Sequence, residues 1–283
     1  MTTKDKYTEV PDPYAWEVPS VGDARFTWEY DEGRARLLSL YQKGKDKQWD
    51  AQSRIDWSTD VDPMNPLGLP DEVLPLFGSP MWESADEKRR AEMKRHSQAW
   101  QFSQFLHGEQ GAMVCAAKIV EVVPDLDAKF YAATQTMDEA RHVEAFSRFL
   151  QEKVGLVYPI NPNLTSLLQD TLNDSRWDMP YLGMQVLIEG LALAAFGMAM
   201  QTTPDPLLKQ LLRYVMSDEA RHVAFGVLSL QEFYAGLTDA ELLERQEFAF
   251  EAAVRMRDRF LQQEVWERMG IDVRKALKLF DVP

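Results

Sequence analysis

Apolar residues recur three and four positions apart over most of the chain, which is the period of an α-helix with one buried face. Alternating apolar and polar residues bounded by hairpin turns are almost absent, so a β-sheet is not expected. The pattern predicts helices at about 31–53, 84–123, 127–153, from 163 or 164 onward, 179–202, 205–234, 239–269 and 272–280. The sequence therefore predicts an all-α fold.

Capping and turn residues set the ends of these helices. The segments Ser84–Glu87 and Thr238–Glu241 have the capping-box pattern, in which the side chain at each end bonds a backbone N–H at the other. Pro124 and Pro204, each followed by Asp, mark turns between long helices. Gly108 is a candidate position for a bend.

The chain divides into three segments by composition. Residues 1–83 comprise an irregular arm over 1–30, one helix, and a connection over 58–83 that contains five prolines and at most short helices. Residues 84–234 carry the regular long helices, and residues 235–283 add C-terminal helices. The first segment is expected to pack on the long helices, and all three are expected to form one structural domain.

The hexapeptide Asp-Glu-Ala-Arg-His-Val occurs twice, at 138–143 and 218–223. Each copy places a Glu and a His three positions apart, on one helix face, where both can bind one metal ion. Such a pair alone is common on solvated helices. Here, however, Glu109 and Glu189 each precede their hexapeptide with 28 residues between. Two helix–turn–helix units of equal length thus repeat at an offset of 80 residues.

The surroundings of the two lone glutamates favour a role as ligands. Both Glu109 and Glu189 lie among small and apolar residues. A carboxylate there has a large desolvation cost unless it is paired, protonated or bound to metal. The alternative is that each Glu lies at the edge of the bundle or forms a buried pair with an Arg. That alternative would have to hold at both matched positions.

This pattern resembles the ferritin-like di-iron carboxylate superfamily, in which two helices give one Glu each and two others give Glu-x-x-His. The resemblance covers residues 84–234 and implies a ferritin-like four-helix bundle with additional N- and C-terminal helices. The spacing is most similar to the oxygen-activating branch, which includes arylamine N-oxygenases, bacterial multicomponent monooxygenases and acyl desaturases. The implied metal ligands are Glu109, Glu139, His142, Glu189, Glu219 and His222.

Each hexapeptide also repeats an Asp and an Arg. A ligating His commonly donates its other N–H to a carboxylate, which fixes the ring. The resemblance implies that Asp138 and Asp218 do this, each for the His of the opposite repeat, and that Arg141 and Arg221 pair with them. Solvent-facing ion pairs, which stabilise little, are the alternative.

Four carboxylates and two imidazoles suit two adjacent metal ions with coordination positions left open for dioxygen. The only cysteine is Cys115, which disfavours zinc-finger and iron–sulfur sites. The expected cofactors are therefore two Fe ions, with a Mn/Fe pair as the alternative, and O2 as co-substrate.

The composition indicates in which compartment, and with which kinds of partner, the protein is expected to function. The chain is 45% hydrophobic and 27% charged, as soluble proteins are. We see neither a signal-peptide core nor an apolar run approaching the roughly 20 residues that span a bilayer, so neither export nor membrane insertion is expected. A single cysteine suits the reducing cytoplasm. The net charge of −14 argues against nucleic acid as a partner.

At several positions this sequence differs from the related families, and these differences reduce the number of possible activities. Phe146 stands where the ribonucleotide reductase small subunit has its radical Tyr, and Leu193 where multicomponent monooxygenases have a Thr. Some arylamine N-oxygenases use an additional His ligand, for which no candidate is found. His96 lies in a charged stretch and is expected at the surface, and His107 is expected to point away from the ligand Glu109.

The predicted activity is that of a di-iron oxidoreductase, an O2-dependent oxygenase of the monooxygenase or N-oxygenase type. It would hydroxylate or N-oxygenate a small, largely apolar or aromatic substrate, with desaturation left open. The pocket walls are expected one turn from the ligands, although any bundle core would show the same apolar stripe: Ala112, Met113, Ala116, Gln135, Phe146, Ala192, Leu193, Phe196 and Val215.

No dinucleotide fingerprint or cysteine cluster is visible in the sequence, so electrons are expected from a separate donor such as a reductase or ferredoxin. A homodimer is expected from the resemblance alone. The alternative function is a ferritin-like ferroxidase or metal-handling protein without an organic substrate.

Overall fold

The computed structural model describes residues 18–30 and 33–280 of the chain. This part is built from α-helices and contains no β-strand, which confirms the all-α prediction. The helices are α1 (Ala35–Asp46), α2 (Pro80–Glu83), α3 (Glu87–Val122), α4 (Leu126–Phe149), α5 (Pro162–Asn173), α6 (Glu189–Thr202), α7 (Pro206–Tyr234), α8 (Asp239–Arg259), α9 (Gln263–Arg268) and α10 (Val273–Leu277).

Two helical hairpins form the bundle. α3 packs along α4, and α6 packs along α7. Because only a short turn joins the helices of each pair, they run antiparallel. α1 packs against α4 and α7, α5 packs against α8, and α9 contacts α3. The elements outside the duplicated hairpins thus cover the bundle.

Side-chain caps begin most of the long helices. Asp125 and Asp205 accept the backbone N–H of Ala128 and Leu208 at the starts of α4 and α7. Thr238 forms the predicted capping box at the start of α8. The capping box predicted at Ser84 was wrong, because α2 ends there and Asp86, two residues later, caps α3.

Some helix ends differ from the predicted ranges. α1 is shorter than 31–53, and α3 continues as an α-helix through Gly108. α8 ends at Arg259 rather than near 269, because Gln262 has the left-handed φ of 52° and begins a new helix, α9. Of the arm predicted over 1–30, residues 18–30 are irregular and 1–17 lie outside the described residues.

A π-helical segment, Tyr181–Ile188, leads directly into α6. α7 approaches this segment so closely that a Cβ at Gly226 would lie 2.6 Å from the Cβ of Gln185. Gly226 therefore permits the packing that sets the position of Glu189, the first residue of α6.

The expectation that no apolar run approaches the length of a membrane span was wrong. By length and composition the helical stretch Tyr181–Thr202, with 22 residues and a mean hydropathy of 1.6, could cross a bilayer. In its most apolar 18-residue window 44% of the helix is buried, and the stretch packs against α7. Its centre carries the buried Glu189. These are features of a core helix in a bundle.

Candidate metal centre

The four bundle helices bring the six predicted ligands together. α3 supplies Glu109, α4 supplies Glu139 and His142, α6 supplies Glu189, and α7 supplies Glu219 and His222. All six side chains are buried, and none is more than 6% exposed. Each Glu-x-x-His pair shares one helix face, as the spacing requires.

The six residues form two overlapping groups. Glu109 and His142 lie in one group, and Glu189 and His222 lie in the other. Glu139 belongs to both groups, as does Glu219, and the ligand atoms of each group all lie within 4.8 Å of one another. Two ions held by these groups would share Glu139 and Glu219, one carboxylate from each repeat.

Distances within the cluster match the spacing of atoms around a metal ion. His142 Nδ1 lies 3.1 Å from Glu109 Oε2, 3.3 Å from Glu139 Oε2 and 3.1 Å from Glu219 Oε1. His222 Nδ1 lies 3.0 Å from Glu139 Oε1. An ion about 2.0–2.2 Å from each ligand atom separates neighbouring ligand atoms by about 3 Å.

Several buried polar atoms of the cluster have no hydrogen-bond partner. They include both oxygens of Glu219, one oxygen each of Glu139 and Glu189, and His222 Nδ1. Such atoms are costly to bury and call for an ion or water. The donor set, carboxylate oxygens and imidazole nitrogens, therefore fits two metal ions of the hard-to-borderline kind.

The histidines are oriented across the repeats. His142 Nε2 lies 3.2 Å from Asp218 Oδ2, and His222 Nε2 lies 3.2 Å from Asp138 Oδ2. With Nε2–H donating to the aspartate, each ring presents the lone pair of Nδ1 to the glutamates. Each aspartate thus contacts the His of the opposite repeat.

The repeated arginines pair with these aspartates inside the protein. Arg141 Nη2 lies 2.5 Å from Asp138 Oδ1 and 3.2 Å from Asp218 Oδ2. Arg221 bonds Asp218 and lies 3.7 Å from Asp138. Both arginines are less than 10% exposed, so these are not solvent-facing pairs. The four side chains form one buried network behind the two imidazoles.

Protons compensate the charge of the cluster when metal is absent. Burial raises the pKa of Glu109 and Glu189, and the neighbouring carboxylates raise it further. Burial opposes protonation of His142, but Glu109 and Asp218 outweigh it and hold the pKa well above its usual value. Metal binding should therefore displace protons from the cluster.

This network also contains two residues that the sequence analysis did not identify. Trp49 Nε1 donates to Asp218 Oδ2 at 2.7 Å, and Gln48 Nε2 donates to Asp138 Oδ1 at 2.8 Å. The Trp49 ring also stacks on Tyr214, with centroids 5.0 Å apart. Gln48 and Trp49 follow α1 and lie outside the duplicated hairpins, so neither motif nor spacing marks them.

A narrow pocket, with a cavity volume of about 30 Å³, reaches the cluster. Glu109, Glu189 and Glu219 are among the residues that line it. Of the predicted wall residues, Ala112, Ala192 and Phe196 line this pocket. The pocket is not lined by Met113, Ala116, Gln135, Phe146, Leu193 and Val215. Residues one turn from the ligands surround the whole cluster, whereas this pocket contacts only three of the six ligands.

Gln135 was predicted to line the pocket, but it lies among the carboxylates instead. It is fully buried, and its Nε2 donates to Glu139 Oε1 at 3.1 Å and to Glu189 Oε1 at 2.8 Å. Gln135 therefore joins a carboxylate of α4 to one of α6. The pocket instead has wall residues that the sequence did not indicate, among them Phe105, Arg259 and Phe260.

The two remaining histidines lie away from the ligands. His96 was expected at the surface, but it is partly buried, and its Nδ1 lies 2.7 Å from the Tyr158 hydroxyl. His107 Nε2 lies 2.8 Å from the carbonyl oxygen of Tyr158. Phe146 is buried in the core, and the ring of Tyr131 is centred 6.5 Å from that of His222.

Residues 31–279 match the family model of the p-aminobenzoate N-oxygenase AurF. The chain belongs to this family. The match confirms the resemblance to the oxygen-activating branch of the di-iron carboxylate proteins. Together with the carboxylate–imidazole cluster, membership makes the chain a metal-binding oxidoreductase.

Solved structures confirm the ferritin-like fold. The chain is similar to a variant of an R2-like ligand-binding oxidase with an anaerobically reconstituted Mn/Fe cofactor, at 18% identity and a TM-score of 0.57. It is also similar to an R2-like ligand-binding oxidase with an aerobically reconstituted Mn/Fe cofactor, at 18% identity and a TM-score of 0.56. Each comparison covers 87% of this chain and 90% of the other. No curated protein matches the chain.

Proposed function

We propose that this chain is an O2-dependent di-iron oxygenase that hydroxylates or N-oxygenates a small, largely apolar or aromatic substrate. The observation that carries the proposal is the contact between the two ligand groups and a pocket. Glu109, Glu189 and Glu219 belong to the groups and also line the pocket, so a substrate there would lie beside the metal ions.

The six residues divide naturally between two ions. Glu109 and His142 would hold one ion, Glu189 and His222 the other, and Glu139 and Glu219 both. Two iron ions, or a Mn/Fe pair as in the related oxidase structures, supply the oxidation of a substrate by dioxygen when bound there. Two divalent ions also balance the four carboxylates.

The chain's own groups orient the ligands and exclude water. Asp218 and Asp138 hold the Nε2–H of the two imidazoles, so Nδ1 remains free to bind metal. Gln135 fixes the carboxylate of Glu189 through a 2.8 Å hydrogen bond. The Phe105 and Phe196 rings, with centroids 4.7 Å apart, wall the pocket with apolar surface.

The family name gives the class of substrate to test first, an arylamine such as 4-aminobenzoate. Protein loaded anaerobically with Fe(II) is mixed with this amine, a chemical electron donor and O2, and the products are analysed by mass spectrometry. We expect an oxygenated amine whose new oxygen comes from 18O-labelled dioxygen. Consumption of O2 with formation of ferric mineral and no product from a panel of arylamines and aromatic hydrocarbons would instead establish a ferroxidase.

A separate electron donor, a homodimer and a cytoplasmic location belong to the same proposal. The sequence contains no dinucleotide fingerprint and only one cysteine, so a flavin or iron–sulfur reductase is supplied by another chain. Activity that requires no added reductant would overturn that part of the proposal.

A further inference from the structure

A series of aromatic rings leads from the metal cluster toward the protein surface. The ring of Tyr131 is centred 6.5 Å from that of the ligand His222 and 4.4 Å from that of Phe225. The ring of Tyr181 is centred 5.0 Å from that of Phe225 and 5.8 Å from that of Trp177. The two tyrosines and the tryptophan have side chains that can lose and regain one electron.

This series crosses the core and ends at a cleft. Tyr131, Phe225 and Tyr181 are all 0% exposed, whereas Trp177 is partly exposed. Trp177 lines a cleft with a cavity volume of about 450 Å³. Among the described residues, none lines both this cleft and the pocket beside the metal ligands. The rings therefore connect the cluster with a part of the surface that is separate from the substrate pocket.

The charges near Trp177 favour the loss of an electron from its ring. The cleft is lined by four carboxylates and three arginines, so negative charge prevails there. A cation over an aromatic ring would oppose the removal of an electron, because it is attracted to the ring's electrons. Each cation–ring contact in the described part of the chain involves an aromatic residue outside this series.

Trp49 also lies near the cluster but is less suited to lose an electron. Its ring is centred 6.3 Å from that of His142, but it is only 6% exposed. The guanidinium carbon of Arg141 lies 5.3 Å from the centre of this ring and opposes a positive charge on it. Asp218 accepts the indole N–H, but Arg141 and Arg221 offset the charge of this carboxylate.

The reduction of dioxygen requires more electrons than two metal ions supply. Dioxygen takes up four electrons and four protons to form two water molecules. Two Fe(II) ions give two of these electrons when they become Fe(III), and a substrate gives the other two when it is oxygenated. When no substrate is bound, the remaining electrons must come from the protein or from a reductant.

We propose that Tyr131, Tyr181 and Trp177 carry electrons from the surface cleft to the metal cluster when dioxygen is reduced there without substrate. This inference rests on the proposed O2-dependent function and adds the route by which electrons enter. The donor that it requires is a one-electron reductant, such as a reduced flavin or an iron–sulfur protein.

Each electron moves inward by one ring at a time. The oxidised cluster takes an electron from Tyr131, which regains one from Tyr181, and Tyr181 regains one from Trp177. The buried Tyr131 hydroxyl has no hydrogen-bond partner among the described residues, so its proton has no acceptor and a radical is not held there. Trp177 releases its indole proton to water in the cleft, and it regains an electron from the donor and a proton from water.

The test measures the oxidation of Trp177 in the absence of substrate. Fe(II)-loaded protein is mixed with O2 without a reductant, and the oxidised tryptophans are quantified by peptide mass spectrometry. With no donor present, the Trp177 radical reacts with O2, and we expect Trp177 to be the main oxidised tryptophan. Ascorbate, a one-electron donor, should suppress this product.

Two substitutions interrupt the series but keep each ring. Tyr131→Phe and Tyr181→Phe should each lower the yield of oxidised Trp177 roughly 10-fold or more, because the electron must then cross a ring that is hard to oxidise. Tyr41→Phe is the matched control, since Tyr41 stacks on a ring outside the series, and it should leave the yield unchanged. Circular dichroism and bound iron are measured for every variant. Should one variant not load iron, the other decides.

Trp28 is the internal reference, because it is 87% exposed. An oxidant that diffuses out of the site would oxidise Trp28 ahead of Trp177, and this result would overturn the proposal. Oxidation of Trp49 in place of Trp177 would also overturn it, as would an unchanged yield in the two variants that interrupt the series.

Failure of the proposed function would give a different result. If the loaded protein consumes O2 without oxidising Trp177, the electron route is wrong and the O2-dependent function stands. If the loaded protein consumes no O2, the proposed function is wrong, and the route is wrong with it.

Discussion

Asp218, on α7, bonds His142, on α4, with Oδ2 lying 3.2 Å from Nε2. The reciprocal pair, Asp138 and His222, has the same 3.2 Å separation. Each half of the internal duplication therefore orients the imidazole of the other half. The site is built jointly by the two hairpins and would not exist in either one alone.

Asp218→Asn should weaken metal binding without loss of the fold. The amide is close in shape but removes the negative charge opposite His142, and loss of such a partner typically lowers metal affinity about 10- to 100-fold. Competition with a chelator measures the change. Asp178→Asn, which alters the distant buried pair with Arg245, is the control. Equal affinity of Asp218→Asn and wild type would contradict this role.

Replacing different glutamates should distinguish the two ion positions. Glu189 belongs to one ligand group only, so Glu189→Gln should reduce the content toward one ion per chain. Glu139 belongs to both groups, so Glu139→Gln should weaken both ions. Elemental analysis after anaerobic loading and desalting checks both results. The assignment fails if both variants retain the metal content of the wild type.

Gly226→Ala should destabilise the protein by about 1–3 kcal/mol, because the added methyl overpacks the contact between α7 and the π-helical segment. Gly190→Ala is the control, since its Cβ would meet no atom within 4 Å and the helix gains about 0.5–1 kcal/mol. Urea unfolding compares the two. Equal stability of the variants would show that the close approach is not required.

Cys115 should not react in the folded protein. It is 0% exposed, and burial raises the pKa of its thiol well above the usual value, so little thiolate forms. A thiol reagent should label it only after unfolding in guanidinium chloride. Labelling within minutes in the native state would show that α3 opens readily at this position.

The helices and the ligand cluster could be predicted because their signals are local and duplicated. Glu-x-x-His needs only the helical period, and the matched position of Glu109 and Glu189 marks the partner helix. The role of Trp49 could not be predicted. It contacts Asp218, which lies 169 positions away in the sequence, and no periodic pattern or motif links the two residues. Arg259 lines the pocket from the last turn of α8, outside the duplicated hairpins, so neither motif nor spacing marks it.

The most direct test of the central claim is the metal content of the wild-type chain. The protein is loaded with Fe(II) without oxygen, freed of unbound metal and analysed for iron per chain, with circular dichroism as the check of folding. About two irons per chain are predicted from the two ligand groups that share Glu139 and Glu219. A folded chain that binds no iron would contradict the six-ligand assignment and leave the repeat with an architectural role only.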